Sequence, residues 1–449
     1  MALDRDSLEI LGRTLEKLDA GFSNLPAFDP APSNRDRMEE VSVQLAEKLS
    51  DNYPYFHPLY AGQMLKPPHP VARLAYSLAM YINPNNHALD GGRATSALEK
   101  EAVSEIAAML GWGEFLGHLS SGGTMANLEA LWVAGQLHPG KTILASEQAH
   151  YTHSRISRVL QLPFEKISCD ALGRMDMNAL GERVAQGDVG TVVATLGTTA
   201  TGSVDPLKEI LELGDQSGFR VHADAAYGGY FVLAGNLGES ARTSFARIRA
   251  ADSVVIDPHK HGLQPYGCGC VLFRDPAVGR LYKHDSPYTY FTSAQLHLGE
   301  ISLECSRPGA AAAALWATQR LLPLERGGEF ARGLERGREA ALKLCRAIRN
   351  GQEFVAAFEP ELDILVFVPC GASPAEISAK SRSIFLAAAR EGLHLALAEL
   401  PVKFWRELRA EAGRDTVTCL RSVLMKPEHL DWVERIVAIL RTAARKNEA

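Results

Sequence analysis

The amino-acid sequence predicts an α/β protein whose central sheet is mostly parallel and flanked by helices. From about residue 100, short runs of valine, isoleucine and leucine alternate with longer helical segments, as in "KTILAS", "GTVVATLG" and "DSVVID". Continuous apolar runs joined by helices are typical of parallel strands that are buried on both faces. One antiparallel strand is also expected, because "SVVID" and "GCVLF" are connected too tightly for a helical crossover.

The change of pattern along the chain predicts three regions. An N-terminal helical arm is expected at 1–55, a large α/β domain at 56–322 and a small α+β domain at 323–449. In the small domain the apolar segment "FEPELDILVFVPC" lies between helical stretches, and "PEHLDWVERIVAILRTAAR" predicts a final helix. A chain of 449 residues, 46% of them apolar, is large enough to fill more than one core.

The arm carries leucines at helical spacing but has little core of its own. Leu8, Leu11, Leu15 and Leu18 recur on one helical face, and a second amphipathic stretch follows a segment with three prolines. An isolated arm of this kind would expose its apolar stripe to water. We therefore expect the arm to clasp a partner subunit, so that the protein forms a homodimer.

Charge and cysteine content argue against several classes of protein. The chain has 47 Lys and Arg against 53 Asp and Glu, a net charge of −6, and no basic tract suited to a phosphate backbone. Its seven scattered cysteines lack CxxC pairs, which favours a reducing compartment over a disulfide framework. No apolar window reaches transmembrane length, and the N-terminal segment has no apolar signal-peptide core. We expect a cytoplasmic protein that binds neither nucleic acid nor membrane.

A glycine-rich turn before a helix indicates an anion site. In "HLSSGGTMANLEALWVA", Gly122 and Gly123 precede an apolar-periodic helix, and Thr124 adds a hydroxyl group. Free backbone N–H groups and the positive end of the helix dipole favour a phosphate group at such a position. A Ser/Gly-rich loop without a ligand has the same pattern, so this motif alone leaves both interpretations open.

Two further polar residues follow predicted strands. Asp224 ends the buried strand of "VHADAAYGGY", where a carboxylate needs a cationic partner, and the small neighbours Ala225 and Ala226 leave room for a flat ring. His150 in "ASEQAHYTHS" follows the strand "KTILAS" and is placed to stack on such a ring. The alternatives are an aspartate that caps the following helix and a structural histidine in the core.

Lys260 follows the apolar run Ser253–Ile256 in "SVVIDPHKHGLQPYGCGCVLF". A lysine in a surface loop is the simplest interpretation. However, Lys260 lies one strand unit beyond Asp224, so both are expected at the carboxyl edge of the sheet, where ligands bind in α/β folds. A phosphate site, a stacking ring, a buried acid and an amine together fit pyridoxal 5′-phosphate, whose aldehyde forms an imine with a lysine.

These motifs resemble those of the pyridoxal-phosphate-dependent group II amino-acid decarboxylases, fold-type I enzymes related to aromatic-amino-acid, glutamate and tyrosine decarboxylases. "SEQAHY" resembles the segment of the ring-stacking histidine, "HADAAYGG" that of the acid at the pyridine nitrogen, and "DPHKHG" that of the cofactor lysine. The resemblance implies catalytic roles for His150, Asp224 and Lys260. It also implies that the following residues bind the cofactor: Gly123, Thr124, Thr198, Ala226 and His259.

The implied reaction converts an L-amino acid to the corresponding amine and carbon dioxide, with the cofactor held on Lys260 as a Schiff base. The same cofactor would serve an aminotransferase, a carbon–carbon lyase, a cysteine desulfurase or a decarboxylation-dependent aldehyde synthase, and a scaffold protein would keep the same fold. Aminotransferases usually stack Trp, Phe or Tyr on the ring. The expected stacking residue here is His150, which favours the decarboxylase.

Three further sites are expected from the resemblance or from spacing. In compact family members an arginine of the small domain reaches the substrate carboxylate, which implies this role for Arg421, and a structural salt bridge is the alternative. The family's proton-donating tyrosine lies on a loop that is shorter here, where Tyr288 and Tyr290 are candidates. Cys268 and Cys270 share one strand face without a second ligand pair nearby, so no metal site is expected.

Overall fold

A computed structural model describes residues 5–29, 31–87, 91–282, 301–405, 408 and 415–446. The strands of its main sheet are β1 (Leu116–Ser120), β2 (Thr142–Ser146), β3 (Phe164–Ile167), β4 (Val189–Thr195), β5 (Arg220–Asp224), β6 (Ser253–Ile256) and β7 (Gly269–Phe273). Their order is β1-β7-β6-β5-β4-β2-β3, and β7 runs antiparallel to both of its neighbours, whereas the other pairs are parallel. The predicted mostly parallel sheet with one antiparallel strand is confirmed.

The first ten α-helices of the described residues are α1 (Arg5–Ala20), α2 (Arg35–Leu49), α3 (Pro70–Met80), α4 (Arg93–Met109), α5 (Gly123–Leu137), α6 (Thr152–Val159), α7 (Met177–Val184), α8 (Leu207–Ser217), α9 (Glu239–Arg247) and α10 (Gly309–Leu321). Helix α7 begins after Asp176, whose carboxylate accepts hydrogen bonds from two backbone N–H groups of the first turn. Helix α8 ends at Gly218, whose left-handed backbone (φ 78°) suits glycine. Among the described residues, no helix has the length and apolar content needed to cross a bilayer.

The C-terminal part of the chain forms a second, smaller sheet covered by helices. Its strands are β8 (Phe354–Ala356), β9 (Ile364–Pro369), β10 (Ala396–Pro401) and β11 (Thr416–Val423), and its helices are α11 (Glu329–Arg349), α12 (Pro374–Arg390) and α13 (His429–Arg445). The strand order is β10-β11-β9-β8, with every pair antiparallel. The helices bury Leu344, Ile384 and Ile436 against this sheet. The predicted α+β architecture of this part is confirmed.

The sequence pattern missed two strands of the main sheet. Strand β1, "LGHLS", contains a glycine and the buried His118, whose Nε2 lies 2.9 Å from Oε2 of the buried Glu129. Strand β3, "FEKI", lies at the edge of the sheet and exposes two charged side chains. Neither segment has the continuous apolar run that marks a strand buried on both faces, so a search for such runs does not find them.

The two helices of the N-terminal arm bury none of their side chains. Leu8 is 64% exposed, Phe28 is 83% exposed and Met38 is 60% exposed. Large apolar side chains with this exposure are unusual on a helix face that water alone contacts. Helix α1 packs on α3, which half-buries Leu11, Leu15 and Leu18, whereas every described side chain of α2 is exposed. The described remainder of this chain therefore covers the apolar face of α1 only in part and leaves that of α2 uncovered.

Candidate active site

A cavity of about 320 Å³ lies at the carboxyl edge of the main sheet. The segments that follow β1, β2, β4, β5 and β6 surround it, because these strands run in the same direction and end at the same edge. Seven of the nine predicted site residues lie on its wall: Gly123, Thr124, His150, Asp224, Ala226, His259 and Lys260.

The predicted anion site is built from glycines that leave no room for side chains. Gly122 has φ 153°, a conformation rarely adopted by residues with a side chain. A Cβ atom on Gly123 would lie 2.6 Å from Asp257 Oδ2, and one on Gly269 would lie 2.6 Å from the Cα atom of Gly122. The first turn of α5 forms this part of the wall, and its first backbone N–H groups have no partner within the helix. A phosphate group fits here.

Asp224 ends β5 on the cavity wall and is 5% exposed. Its Oδ2 accepts a hydrogen bond from His153 Nε2 at 2.8 Å, and its Oδ1 accepts one from the backbone N–H of Ala226 at 3.2 Å. Burial alone would raise the pKa of Asp224, but the hydrogen bond from His153 and nearby positive charge hold it well below its usual value. Asp224 is therefore ionised and suited to a cationic partner.

Lys260 lies in the turn after β6, at the same edge of the sheet. Its Nζ is 2.9 Å from Asp257 Oδ2, and its backbone N–H donates to the Asp257 carbonyl oxygen at 2.9 Å. The other carboxylate oxygen of Asp257 is buried and has no hydrogen-bond partner among the described residues. The turn thus holds the Lys260 amine on the cavity wall beside Asp257, whose second oxygen is able to accept a further hydrogen bond.

Two histidines add neutral rings to the wall. His150 Nδ1 accepts hydrogen bonds from the Thr152 hydroxyl at 2.8 Å and from the Thr152 backbone N–H at 3.3 Å, so Nε2 carries the ring proton. His259 Nδ1 donates to the Cys268 carbonyl oxygen at 2.7 Å. Burial lowers the pKa of both His150 and His259, so both rings are uncharged near neutral pH. An uncharged flat ring at His150 is compatible with stacking on an aromatic ligand.

Thr198 does not line the cavity, although its neighbours Gly197 and Thr199 do. The Thr198 hydroxyl is fully buried and shares a hydrogen bond of 2.7 Å with the Thr201 hydroxyl. It also accepts a hydrogen bond from the Ser203 backbone N–H at 3.1 Å. Thr198 therefore fixes the shape of the loop after β4. Its two neighbours in this loop, Gly197 and Thr199, line the cavity.

Arg421, on β11, lies behind the cavity wall and is 4% exposed. Its guanidinium donates to the carbonyl oxygens of Thr199 at 2.6 Å, Ala200 at 3.1 Å and Gly62 at 3.1 Å. It forms no ion pair with a carboxylate of the described residues. The positive charge of Arg421 is thus surrounded by neutral oxygens. Thr199 lines the cavity, whereas Arg421 lies directly behind Thr199.

Sequence reasoning missed three residues of this site: His153, Asp257 and Thr195. Asp257 stands three residues before Lys260 at the end of the same apolar run. This spacing could have predicted that its carboxylate lies beside the lysine amine. His153 stands three residues after His150, but its contact is with Asp224 on another strand, which sequence spacing does not indicate. The Thr195 hydroxyl lines the cavity and is buried without a hydrogen-bond partner.

Two other expectations concern the surroundings of the site. The candidate proton donors Tyr288 and Tyr290 lie outside the described residues. Cys268 and Cys270 are buried, and no group of three or more His, Cys, Asp or Glu side chains suited to a metal ion occurs in the described ranges.

The cavity fits pyridoxal phosphate at each of its reactive parts. The glycine turn before α5 fits the phosphate, the ionised Asp224 fits a protonated pyridine nitrogen, and Lys260 supplies the amine. The Asp257 oxygen and the Thr195 hydroxyl are both buried and have no partner in the described part of the chain, so they leave hydrogen-bonding capacity on the wall for a polar ligand.

Comparison with known proteins places the chain in a family. The "Pyridoxal-dependent decarboxylase conserved domain" matches residues 134–369. The chain is 29% identical over 327 residues to the "Probable L-tyrosine/L-aspartate decarboxylase" of Methanothermobacter thermautotrophicus, covering 71% of this chain and 85% of that protein. It is 28% identical over 393 residues to the "L-tyrosine decarboxylase" of Enterococcus faecium, covering 65% of this chain and 64% of that protein.

Solved structures share the fold at lower sequence identity. Mouse CSAD in its apo form superposes with a TM-score of 0.77 at 19% identity, over 98% of this chain and 92% of that one. Oryza sativa TDC with PLP and tryptamine superposes with a TM-score of 0.79 at 16% identity, over 99% of both chains. The fold is therefore that of fold-type I decarboxylases. The chain belongs to the pyridoxal-dependent decarboxylase family and is a pyridoxal-phosphate-dependent carboxy-lyase that acts on an L-amino acid.

Proposed function

We propose that the cavity at the edge of the main sheet is the decarboxylation site, with Lys260, Asp224 and His150 as its catalytic residues. The observation that carries this proposal is the convergence of these three side chains on one cavity from the ends of three different strands. When bound, pyridoxal phosphate supplies an electron-withdrawing ring that accepts the electron pair of the bond between Cα and the carboxylate.

Each catalytic residue has a separate task in this proposal. The Lys260 amine would hold the cofactor covalently until the substrate binds. Asp224 keeps a proton on the pyridine nitrogen, because its ionised carboxylate is held ready by His153. The neutral ring of His150 covers one face of the cofactor and excludes water from it.

The remaining wall residues position the phosphate and the substrate. Gly123 and Thr124, at the start of α5, and His259, in the turn before Lys260, bind the phosphate group. Ala226 leaves space beside the ring. Arg421 does not line the cavity, and it acts on the substrate by holding the carbonyl oxygens of Thr199 and Ala200, which positions the loop that forms the wall.

The first substrates to test are L-tyrosine and L-aspartate, which the names of the curated relatives specify. The experiment incubates the cofactor-loaded enzyme with a panel of common L-amino acids and measures carbon dioxide, amine and aldehyde. Equal amounts of carbon dioxide and amine support the decarboxylase. Aldehyde with ammonia would identify an aldehyde synthase, and products that retain all carbon atoms would overturn the proposed reaction.

A second experiment tests the lysine assignment directly. Borohydride reduction should fix the cofactor covalently to the peptide that contains Lys260, and peptide mass spectrometry locates the label. Lys260→Ala should abolish turnover and covalent trapping, because no other amine lines this cavity among the described residues. A reduced cofactor on a different lysine would overturn the assignment.

We also propose a cytoplasmic homodimer with a helical arm at 1–55, a large domain at 56–322 and a small domain at 323–449. The exposed apolar side chains of the arm support a partner subunit, and the scattered cysteines without CxxC pairs support a reducing compartment. Sedimentation should give a dimer of the 48.8 kDa chain. An active monomer would contradict the proposed assembly.

A further inference from the structure

A second cavity of about 560 Å³ lies beside the active cavity, between the two sheets. Its walls come from residues 66–70, from the turn after Lys260, from the start of α11 and from residues 426–428. Most of the wall is apolar, with aromatic, proline and leucine side chains: Phe56, Pro67, Pro68, Leu263, Phe330 and Leu334. Nothing in the proposed decarboxylation uses this cavity.

Two lysines face the cavity without a carboxylate partner. Lys426 is 4% exposed, and its Nζ donates to the Tyr60 carbonyl oxygen at 2.6 Å. The Nζ of the half-buried Lys66 donates to the Met425 carbonyl oxygen at 3.3 Å. Neither ammonium group forms an ion pair with a carboxylate in the described part of the chain. A buried cation bonded only to neutral oxygens retains a strong attraction for an anion.

A buried histidine adds an unused polar group to the same wall. His261 is 1% exposed, and its Nδ1 has no hydrogen-bond partner in the described residues. Its Nε2 lies 3.3 Å from Asp363 Oδ2 without hydrogen-bond geometry. Because buried polar atoms are nearly always satisfied in folded proteins, a ring nitrogen on a cavity wall without a partner in the described residues has the capacity to bond a ligand or a water in the cavity.

Asp363 and Glu428 act on Lys66, and Glu428 acts on Lys426, but neither acid forms an ion pair with a lysine in the described residues. Asp363 Oδ1 accepts a hydrogen bond of 2.6 Å from the hydroxyl of Tyr227, which lines the active cavity, and Oδ2 faces His261. The cavity wall itself carries four Lys and Arg side chains against two Glu side chains: Lys66, Arg332, Arg336, Lys426, Glu329 and Glu428. Arg336 also pairs with Asp431 at 2.7 Å, which leaves three cationic side chains against the two Glu. The balance of charge therefore favours a negatively charged occupant.

We propose that this second cavity binds a small organic carboxylate, with its anionic group held by Lys66 and Lys426 and its apolar body packed against Phe330 and Leu263. An apolar wall with a basic end suits such a molecule better than an inorganic anion, which would leave the apolar wall uncovered. The bound carboxylate would lie only two side chains from the active cavity, through Asp363 and Tyr227.

Benzoate is the probe, and the protein is the full chain loaded with its cofactor. Isothermal titration calorimetry should show saturable binding of benzoate, with at least tenfold weaker binding of the neutral isostere benzamide. Lys66→Met and Lys426→Met should each weaken benzoate binding at least tenfold. These substitutions keep an apolar stem in place of the lysine, and cofactor absorbance with melting temperature verifies that each variant folds.

Two matched controls separate this cavity from other sites. Arg421→Gln removes the cation behind the active cavity and should leave benzoate binding unchanged, and Lys343→Met removes an exposed lysine paired with Glu434 and should do the same. Benzoate binding that depends on Arg421 and not on the two cavity lysines would overturn the proposal. So would the absence of saturable binding, or inorganic phosphate binding as tightly as benzoate.

Proton uptake provides a readout that does not depend on the variants. Burial lowers the pKa of Lys66 to about 8 and that of Lys426 to about 7. A bound anion raises both pKa values, so binding at pH 8 should take up a measurable fraction of a proton, seen as a dependence of the heat on buffer ionisation. The other titratable groups around the two amines are Asp363, Glu428, Tyr60, His69, His261, His429 and Glu329. Binding without proton uptake would show that the lysines do not contact the anion.

Discussion

Asp224 and Asp363 are both buried aspartates, but their surroundings shift their pKa values in opposite directions. Asp224 accepts a hydrogen bond from His153 and lies near positive charge, and its pKa lies well below the usual value despite burial. Asp363 accepts one from Tyr227, a neutral phenol, and burial raises its pKa to about 6. Burial penalises both carboxylates, and the chemistry of the hydrogen-bond donor decides whether the penalty is overcome.

This difference separates the tasks of two adjoining cavities. The ionised Asp224 gives the active cavity a fixed negative charge suited to a cationic ring. Asp363 binds a proton in mildly acidic solution, so it contributes little negative charge to the second cavity when the pH is low. The neighbouring Lys66 and Lys426 form no ion pair with a carboxylate of the described residues, and this is why an anion suits that cavity.

The largest expected effect is that of Asp224→Asn. A neutral amide no longer holds the pyridinium proton, so kcat should fall about a thousandfold, or ~4 kcal/mol, while the cofactor stays bound. Steady-state kinetics and the amount of cofactor released by acid measure the two quantities. A loss smaller than about tenfold would mean that Asp224 does not contact the ring nitrogen.

The pH dependence of stability tests Asp363. Its folded pKa of about 6 lies above the unfolded value, so its stabilising contribution is complete below the unfolded pKa and is lost as pH rises through about 6. The full loss is about 3 kcal/mol. Asp363→Asn removes this titration and should therefore be more stable relative to the wild type at pH 8 than at pH 5, as measured by urea unfolding.

Asp224→Asn is the matched control for that experiment. The folded and unfolded pKa values of Asp224 both lie below pH 5, so the stability difference between this variant and the wild type should not change from pH 5 to pH 8. If the stability difference from the wild type changed with pH in the same way for both Asn variants, the pKa values of Asp224 and Asp363 would not be shifted in opposite directions.

His153 tests the cause of the contrast. His153→Leu removes the hydrogen bond to Asp224, and kcat should fall about thirtyfold, or ~2 kcal/mol, with a smaller loss in His153→Gln, whose amide still donates. Carboxyl ¹³C NMR of the apo protein follows Asp224 directly. Its resonance should begin to titrate within the accessible pH range in His153→Leu. An unchanged resonance would show that His153 does not set the pKa of Asp224.

The sequence was sufficient to predict the active cavity because its residues follow strands. Lys260, Asp224 and His150 each stand at the end of an apolar run, and parallel strands bring such ends to one edge. The resemblance then assigned their roles. The strands β1 and β3 escaped prediction because buried His118 and the charged edge residues break the apolar pattern, and only tertiary contacts satisfy them.

The Asp363 region could not be predicted in the same way. Lys66, His261 and Asp363 come from a proline-rich loop, a turn after β6 and the start of β9. No spacing in the chain relates these segments, and a single buried acid before an apolar run has several ordinary explanations. Their relation arises from the packing of the two sheets, which pattern and composition do not specify.

Substitution of Arg421 has the smallest expected effect of the changes considered. Arg421→Lys keeps the charge but cannot form the fork to Thr199, Ala200 and Gly62, so KM for the substrate should rise about tenfold, or ~1.4 kcal/mol. Cofactor absorbance and melting temperature should stay nearly unchanged. The control is Arg338→Lys, because Arg338 is also buried and donates to the backbone oxygens of Asn236 and Glu361 away from the cavity wall. Arg338→Lys should lower the melting temperature without changing KM, and the same result for Arg421→Lys would make Arg421 a structural residue.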